Sequence, residues 1–467
     1  MRAGTAERVD ALAQRLIAAG ATPGAAVAIC DRERLLAVWS YGHADPAAGV
    51  PVTERTLFQI GSISKSFTAI CLLRRWERGE LDLGAEVASL LPWFPLEGIT
   101  VHHLLSHTGG LPCSLGDPPS PGFEVLMLAE SAHAPAGERF WYSNVGYQAL
   151  GFVLERLTGE PYADTYRREI FAPLALEHTE PAITNALRSR LAVGHEASDD
   201  SWPWTLGEPL APATWLEYRG ADGSICATVA DLAAYGRMLL NGGAGVLSPE
   251  GFERMTTPVV EDPDEGCWYG YGLNLRSAPG RRSISHGGAT VGYHAQVWCD
   301  RDAGLAAAAL VNGPAGATML AQHALRLAAG DEVAEPKLDD LSDPAAAIVL
   351  DAEPAPEWRP MCGLYRSHNP WSTTLWIGTR DGGPVALHWG EAHPLEPLAD
   401  GSFRLGPAGW SPERVRFDTP IAGRFLRAWH GATAFHRPDM SESTLEGEGA
   451  AGSLSPATSL TKRNRRC

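Results

Sequence analysis

The apolar positions change their spacing several times along the chain, and each change marks an element. Val9, Leu12, Leu16 and Ile17 recur at helical spacing in a charged background, which predicts an amphipathic surface helix. Residues 25–45, "AAVAICDRERLLAVWSYGHAD", form an apolar run, a charged turn and a second apolar run, the pattern of a β-hairpin. A second helix is expected over 62–78, with Ile63, Phe67, Ile70, Leu72 and Leu73 as its buried stripe and Gly79 at its end. From about 80 to 240 the pattern is mainly helical, broken by Pro/Gly loops at "LGDPPSPG" and around 200–213. Strand patterns return at "YGYGLNL", "SISHGG", "HAQVWCD" and "LAAAALVNG". Strands at both ends with helices between them predict an α+β domain over residues 1–330: one antiparallel sheet flanked by helices and interrupted by a helical insertion.

Residues 331–360 are acidic and proline-rich and are expected to form a linker. Over 361–438 short β runs alternate with Gly/Asp turns, the signature of a small antiparallel barrel. Residues 439–467 lack apolar periodicity and are expected to be disordered.

Composition removes several functions. Hydrophobic residues make up 45% of the 467 positions, an ordinary globular share. A formal charge of −17 argues against nucleic acid or an anionic membrane as partner. Eight cysteines are scattered without a CxxC pair, so they are expected as reduced core residues. The first residues mix charges into the apolar pattern, unlike a secretory signal, and no run of 18 apolar residues occurs. The expected compartment is therefore the cytoplasm.

The bias among the basic residues turns attention to chemistry. Lys65 is one of three lysines beside 35 arginines. Arg stays protonated, whereas burial can neutralise Lys and let it take a proton from a hydroxyl. Ser62 stands one helical turn before it, at a helix start that favours a developing oxyanion. By itself the pair equally describes a helix N-terminus with a solvated lysine; "SLTK" in the tail repeats the spacing without a helix. Tyr142 and Asn144 form the one Tyr-x-Asn of the chain, able to shuttle a proton and to hold a substrate amide or the lysine. Isolated, that tyrosine also reads as a core aromatic. His286 ends a strand-like run, and Gly287 and Gly288 after it permit close approach of a substrate or mark a turn.

Together these motifs resemble the active site of the serine β-lactamase and penicillin-recognising hydrolase family. "ITVHHLLSHTGGLP", "YSNVGYQALGFVLERLTGEPY", "IFAPLALEHT", "GADGSICATVADLAAYGRML" and "HGGATVGYHAQVW" look like family landmarks in family order, over about residues 10–330. Ser62 and Lys65 match the SxxK box, Tyr142 and Asn144 the YxN box. His286-Gly287-Gly288 stands where many relatives carry Lys-Thr-Gly; the class C-like and esterase branches, which carry YxN and often His-x-Gly, are the more similar ones. The C-terminal segment is similar to the lipocalin-like domain appended to some peptidases and thioesterases of the group.

The resemblance implies a Ser62 acyl-enzyme, with Lys65 or Tyr142 as base and His286 sharing the proton. Asn144 would orient the substrate, and the amides of Ser62 and Ala289 would form the oxyanion hole. Neither cofactor nor metal is implied. The expected activity is that of an esterase, amidase or D-specific peptidase acting on a small-molecule or peptide-like acyl substrate. The alternative is an acyltransferase or peptide-cyclising thioesterase with an amine acceptor, in which case a carrier protein becomes a partner. No acidic residue takes the deacylating role of class A β-lactamases, which turns the reading away from antibiotic hydrolysis. GxSxG and HExxH patterns are absent, and His102, His103 and His107 lack a carboxylate at metal spacing, so they are expected to be structural.

Overall fold

The structure, a computed structural model, describes residues 4–116, 120–278, 280–388, 390–406 and 409–438. It divides into two compact units, one of Met1–Asp199 and Trp204–Ser342, the other of Asp200–Pro203 and Asp343–Cys467. The expected disordered tail, 439–467, lies outside the described residues.

The first unit is built on a nine-stranded sheet. In spatial order its strands are Val50–Pro51, Leu35–Asp45, Gly24–Asp31, Leu305–Val311, Tyr293–Asp300, Arg281–Thr290, Asn274–Ala278, Cys267–Tyr269 and Val260–Asp262. All pairings are antiparallel, with Ala28 opposite Ala308 and Ser285 opposite Trp298. The hairpin and the strands at "SISHGG", "HAQVWCD" and "LAAAALVNG" therefore stand where the sequence pattern puts them, whereas "YGYGLNL" spans the end of Cys267–Tyr269, a turn and the start of Asn274–Ala278.

The central strands are covered on both faces, and their period-two alternation sorts the side chains between two cores. Ala25, Val27 and Ile29 join Ala307, Ala309 and Val311 beneath the helices Thr5–Ala18 and Ala317–Ala329. Ala26, Ala28 and Cys30 join Ala306, Ala308 and Leu310 on the other face, with the helix Val229–Leu240 and the inserted helices. Alanine at these positions lets helices approach closely from either side.

The insertion differs from the expectation in two respects. It is less helical than its pattern, with short strand pairs at Phe58–Gln59 with Cys226–Ala227 and at His195–Ala197 with Leu210–Pro212. The helix Ser64–Glu77 also has no solvated side over its first ten residues, every one of which from Ser64 to Leu73 is buried. Phe67 stacks on Tyr235 at 4.3 Å, and the polar Ser66 and Thr68 are bonded inside the protein, to Ile63 and to Ala221. The far end is fixed electrostatically. Arg74, Arg75 and Arg78 converge with Arg168 on Glu169, which lies in a π-turn at Arg167–Phe171.

The stretch 331–360 is not a free linker. Glu335 pairs with Arg8 at 2.7 Å and Asp331 pairs with Arg281. Residues 343–360 pack on the second unit, where Ala345 N donates to Gly390 O and Asp351 N to Thr379 O. That unit is a closed eight-stranded antiparallel barrel running from Gly363 to His436. Its core comprises Tyr365, Leu375, Ile377, Ala386, Leu395, Phe403, Leu405, Val415, Ala428 and Phe435. Trp376 and Trp429 lie outside that core: Trp376 packs on Trp202 at 5.3 Å, and Trp429 donates to Asp418 while stacking on Arg416 and Arg427.

Among the described residues no helix is long and apolar enough to cross a membrane. Six of the seven described cysteines are buried free thiols, and Cys113 is half-buried.

Candidate active site

Ser62 sits in the single 3-10 turn Gly61–Ile63, which runs straight into the helix Ser64–Glu77. The turn starts at Gly61 with φ +51°, a left-handed conformation that glycine adopts without strain. Lys65 follows in the first helical turn, on the same side as Ser62. Its side chain is fully buried. Nζ lies 3.0 Å from Ser62 Oγ, 2.7 Å from Asn144 Oδ1 and 2.9 Å from the backbone oxygen of Asp222.

Asn144 begins the helix Asn144–Thr158, for which Ser143 is the N-cap, its Oγ accepting from Gly146 N. The preceding Tyr142 is held on both sides by one residue. The His107 carbonyl accepts from Trp141 N at 2.8 Å, and His107 Nδ1 accepts from Ser143 N at 3.0 Å. The imidazole lies 4.3 Å from the Tyr142 ring centroid, and His107 itself takes a left-handed φ of +57°. Tyr142 is thus fixed close to Ser62, its ring 4.7 Å from Lys65 Nζ.

The strand Arg281–Thr290 forms the opposite wall. A Cβ on Gly61 would lie 2.7 Å from Ala289 N, and one on Gly288 would lie 1.9 Å from Ile60 O and 3.0 Å from Ser62 N. The two backbones touch, which requires glycine at both positions. Gly287 is looser, its nearest neighbour being Gln296 Oε1 at 3.2 Å from a built Cβ. His286 stands just before this contact but turns elsewhere. Its Nδ1 donates to Gly287 O at 2.5 Å and its Nε2 accepts from Tyr269 Oη at 3.1 Å, while its ring stays 6.5 Å from that of Tyr142. Direct proton sharing between His286 and Tyr142, as expected from the sequence, has no bond to run through in this geometry.

Burial dominates the electrostatics. It lowers Lys65 to about 8, against the opposing pull of Asp222. It lowers His286 to about 4 and His107 well below the ordinary histidine value, so both imidazoles are neutral near pH 7. It raises Tyr142 well above the ordinary phenol value, and the neighbouring Ser62 hydroxyl offsets only part of this. The pocket therefore holds a neutral phenol and an amine that titrates close to neutrality.

The structure brings Ser62, Lys65, Tyr142 and Asn144 into direct contact and sets Gly288 and Ala289 against the serine turn. Asn144 holds the lysine in this state; its Nδ2 points to Cys113 Sγ at 3.7 Å. Sequence reasoning missed His107 as the clamp on Tyr142, Tyr269 as the partner of His286, and the Asp222 carbonyl. Of the other two clustered histidines, His103 closes a capping box with Thr100 and His102 bonds Tyr271. Among the described residues no group of three His, Cys, Asp or Glu side chains is placed to hold a metal ion.

Comparison with known proteins agrees with this architecture. Penicillin-binding protein 4 of Amycolatopsis lactamdurans is 29% identical over 314 residues, 62% of this chain and 81% of the relative. The D-aminopeptidase of Brucella anthropi is 27% identical over 324 residues, 66% of this chain and 59% of the relative. The chain thus spans about three fifths of the length of that enzyme, and likewise 60% of a Bacillus subtilis penicillin-binding protein. The octameric penicillin-binding protein homologue from Pyrococcus abyssi has the same fold across both units, with a TM-score of 0.64 at 22% identity over 92% of this chain and all of that one. EstCE1, a hydrolase with promiscuous acyltransferase activity, matches 66% of this chain and 93% of its own with a TM-score of 0.56 and 25% identity. The Beta-lactamase family model matches residues 9–331, the whole span that carries the serine turn, the tyrosine-asparagine clamp and the glycine strand, and the chain belongs to that family.

Proposed function

We propose that the protein is a serine acyl-hydrolase that forms an acyl-enzyme at Ser62 on an ester or peptide-like amide. The observation that carries this reading is the set of partners around Lys65 Nζ. A neutral amine has two N–H bonds and one lone pair. Asn144 Oδ1 and the Asp222 carbonyl can only accept, so they take the two N–H bonds and turn the lone pair to the Ser62 hydroxyl. Lys65 is then the base for the serine, and with a pKa of about 8 a useful fraction is neutral at physiological pH. Tyr142, held as a phenol beside Ser62, is poorly suited to remove that proton and well suited to relay it onward to the leaving group.

The tetrahedral oxyanion is received by the amides of Ser62 and Ala289 at the helix N-terminus, each donor contributing about 3 kcal/mol. His286 acts on the site through Tyr269 and through the backbone of Gly287. The acyl-enzyme is then resolved by water, as in an esterase, amidase or D-specific peptidase; similarity to a D-aminopeptidase supports the amide branch. A second reading, transfer of the acyl group to an amine in an acyltransferase or peptide-cyclising thioesterase, draws support from the likeness to EstCE1. In that case a carrier protein delivers the acyl group.

Intact-protein mass spectrometry after treatment with a panel of fluorophosphonate, penicillin and D-amino acid ester probes tests the reading. One covalent adduct, mapped to Ser62 and missing in Ser62→Ala, is expected. A folded wild type that none of these probes labels, or a Ser62→Ala variant labelled as fast as the wild type, overturns it.

A further inference from the structure

Asp222 is a buried carboxylate, 5% exposed, with no ion pair within 4.0 Å among the described residues. Such a group is costly to desolvate unless something in the fold uses it. Its carboxylate accepts a short hydrogen bond from Tyr218 Oη. Its own backbone oxygen is the one that accepts from Lys65 Nζ at 2.9 Å.

The surroundings are shaped for this pair. A Cβ on Gly220, midway along the turn, would lie 2.1 Å from Tyr218 Oη and 2.5 Å from Asp222 Oδ1, so glycine makes the room in which they meet. Tyr218 Oη also accepts from Gln148 Nε2 at 3.3 Å, and the same amide donates to the buried Glu124 at 2.8 Å. Gln148 lies one helical turn beyond Asn144. Glu124 in turn accepts from Leu115 N at 2.5 Å and Gly116 N at 3.1 Å, in the loop whose Cys113 carbonyl receives Asn144 N at 2.8 Å. One polar network therefore fixes both acceptors of the lysine, Asn144 and the Asp222 carbonyl.

The geometry points to Asp222 as a positioning residue for Lys65: its carboxylate, locked to Tyr218, holds the carbonyl that orients the amine and sets negative charge behind it. The inference rests on Lys65 as the base for Ser62. The groups facing Lys65 are Asp222, Cys113, the rings of Tyr142 and Tyr147, and the neutral His107 and His286. Those facing Asp222 are Lys65, Tyr218, Glu124, Tyr162 and Tyr166. Burial raises Asp222 to about 6, with Lys65 and the Tyr218 bond pulling the other way, so above that pH it is an anion opposing loss of the lysine proton. The two groups titrate as a pair.

The test is the second-order rate of Ser62 acylation by a fluorophosphonate or an activated ester, measured from pH 5 to 10 on the full chain. Asp222→Asn keeps an acceptor for Tyr218 but removes the charge. The neutral amine is then favoured, and the midpoint of the rising limb moves down by about one pH unit. Tyr218→Phe removes the donor that stabilises the anion. Its midpoint also moves down, and its plateau falls because the carbonyl is no longer anchored. If Asp222→Asn does not fold, Tyr218→Phe decides. Midpoints that coincide with the wild type, even at reduced rate, reduce Asp222 to a packing role and overturn the inference alone. A wild type that is never acylated at Ser62 overturns the acyl-enzyme reading and this inference with it.

Discussion

Replacing Gly288 by alanine isolates the contact between the strand and the serine turn. The new Cβ would lie 1.9 Å from Ile60 O, 2.8 Å from Ile60 C and 3.0 Å from Ser62 N. Carbon and carbonyl oxygen approach no closer than about 3.3 Å even in a C–H···O contact, so the two backbones must part by more than about 1 Å. The obstructing atoms are main chain, and no change of rotamer relieves them. Parting them moves Ala289 N away from Ser62 N, and the loss of one aligned oxyanion donor costs about 3 kcal/mol, or roughly 10²–10³-fold in rate. The overpacking itself costs about 1–3 kcal/mol of stability, small enough for the variant to remain folded. Burst kinetics on an activated ester should show kcat/KM lower by that factor, with a thermal melt only a few degrees below wild type. Gly287→Ala is the internal comparison. Its Cβ meets the movable end of Gln296 at 3.2 Å, so it should lose far less activity. A folded Gly288→Ala variant within threefold of the wild-type kcat/KM would refute the oxyanion geometry derived above.

Lys65→Arg should be nearly as inactive as Lys65→Ala, because Arg retains the charge but cannot take the proton; recovery of most activity by Arg would move the role of base to Tyr142. In the wild type the acylation rate should rise with pH with its midpoint near 8, where the buried lysine is half deprotonated, and level off about one unit above; a flat profile from pH 6 to 9 contradicts this. Glu169→Gln should lower the melting temperature by roughly 5 °C, for about 3 kcal/mol. Burial opposes ionisation of Glu169, but hydrogen bonds from Arg75 and Arg168 outweigh it and hold the group at about 2, below its ordinary 4.5. That stabilisation is present above pH 4.5 and is lost as pH falls towards 2. A Glu169→Gln melt equal to wild type at pH 7 would show that the arginine cluster is neutral to the fold.

What the sequence made legible was local. Ser62 and Lys65 lie within one helical turn, Tyr142 and Asn144 within three positions, and the period-two runs near 25–45 and 283–311 are continuous enough to read as strands. The Asp222 carbonyl is different, because a backbone oxygen carries no sequence signature and reaches Lys65 across 157 positions. An acid flanked by glycines in "GADGS" was the available hint, since glycine there leaves space for a buried pair. Nothing in the sequence around His107 points to Tyr142, and the histidine that holds it takes a left-handed backbone. The helix at 64–77 misled in one respect. Its small polar residues suggest a wet face, yet each finds a partner inside the protein, so the whole first half is buried. The acidic stretch 331–360 misled for the opposite reason, because two of its acids, Glu335 and Asp331, pair with Arg8 and Arg281 and tie its start to the first unit.

The pairing of Gly24–Asp31 with Leu305–Val311 has a bearing on how the protein is made. About 280 residues separate the two strands, and at roughly 5–20 residues per second the ribosome needs about 15–60 s to deliver the second after the first. Throughout that interval an almost wholly apolar strand has one open edge, which is the kind of surface chaperones shield. Ser62 waits in the same way for Gly288, which emerges only shortly before the sheet can close. The contact between the Ser62 turn and Gly288 is therefore formed by the last steps of translation of its own domain. A ribosome-arrested chain ending near residue 280 should be protease-sensitive and unreactive towards acylating probes, whereas one with residue 342 well clear of the exit tunnel should be neither.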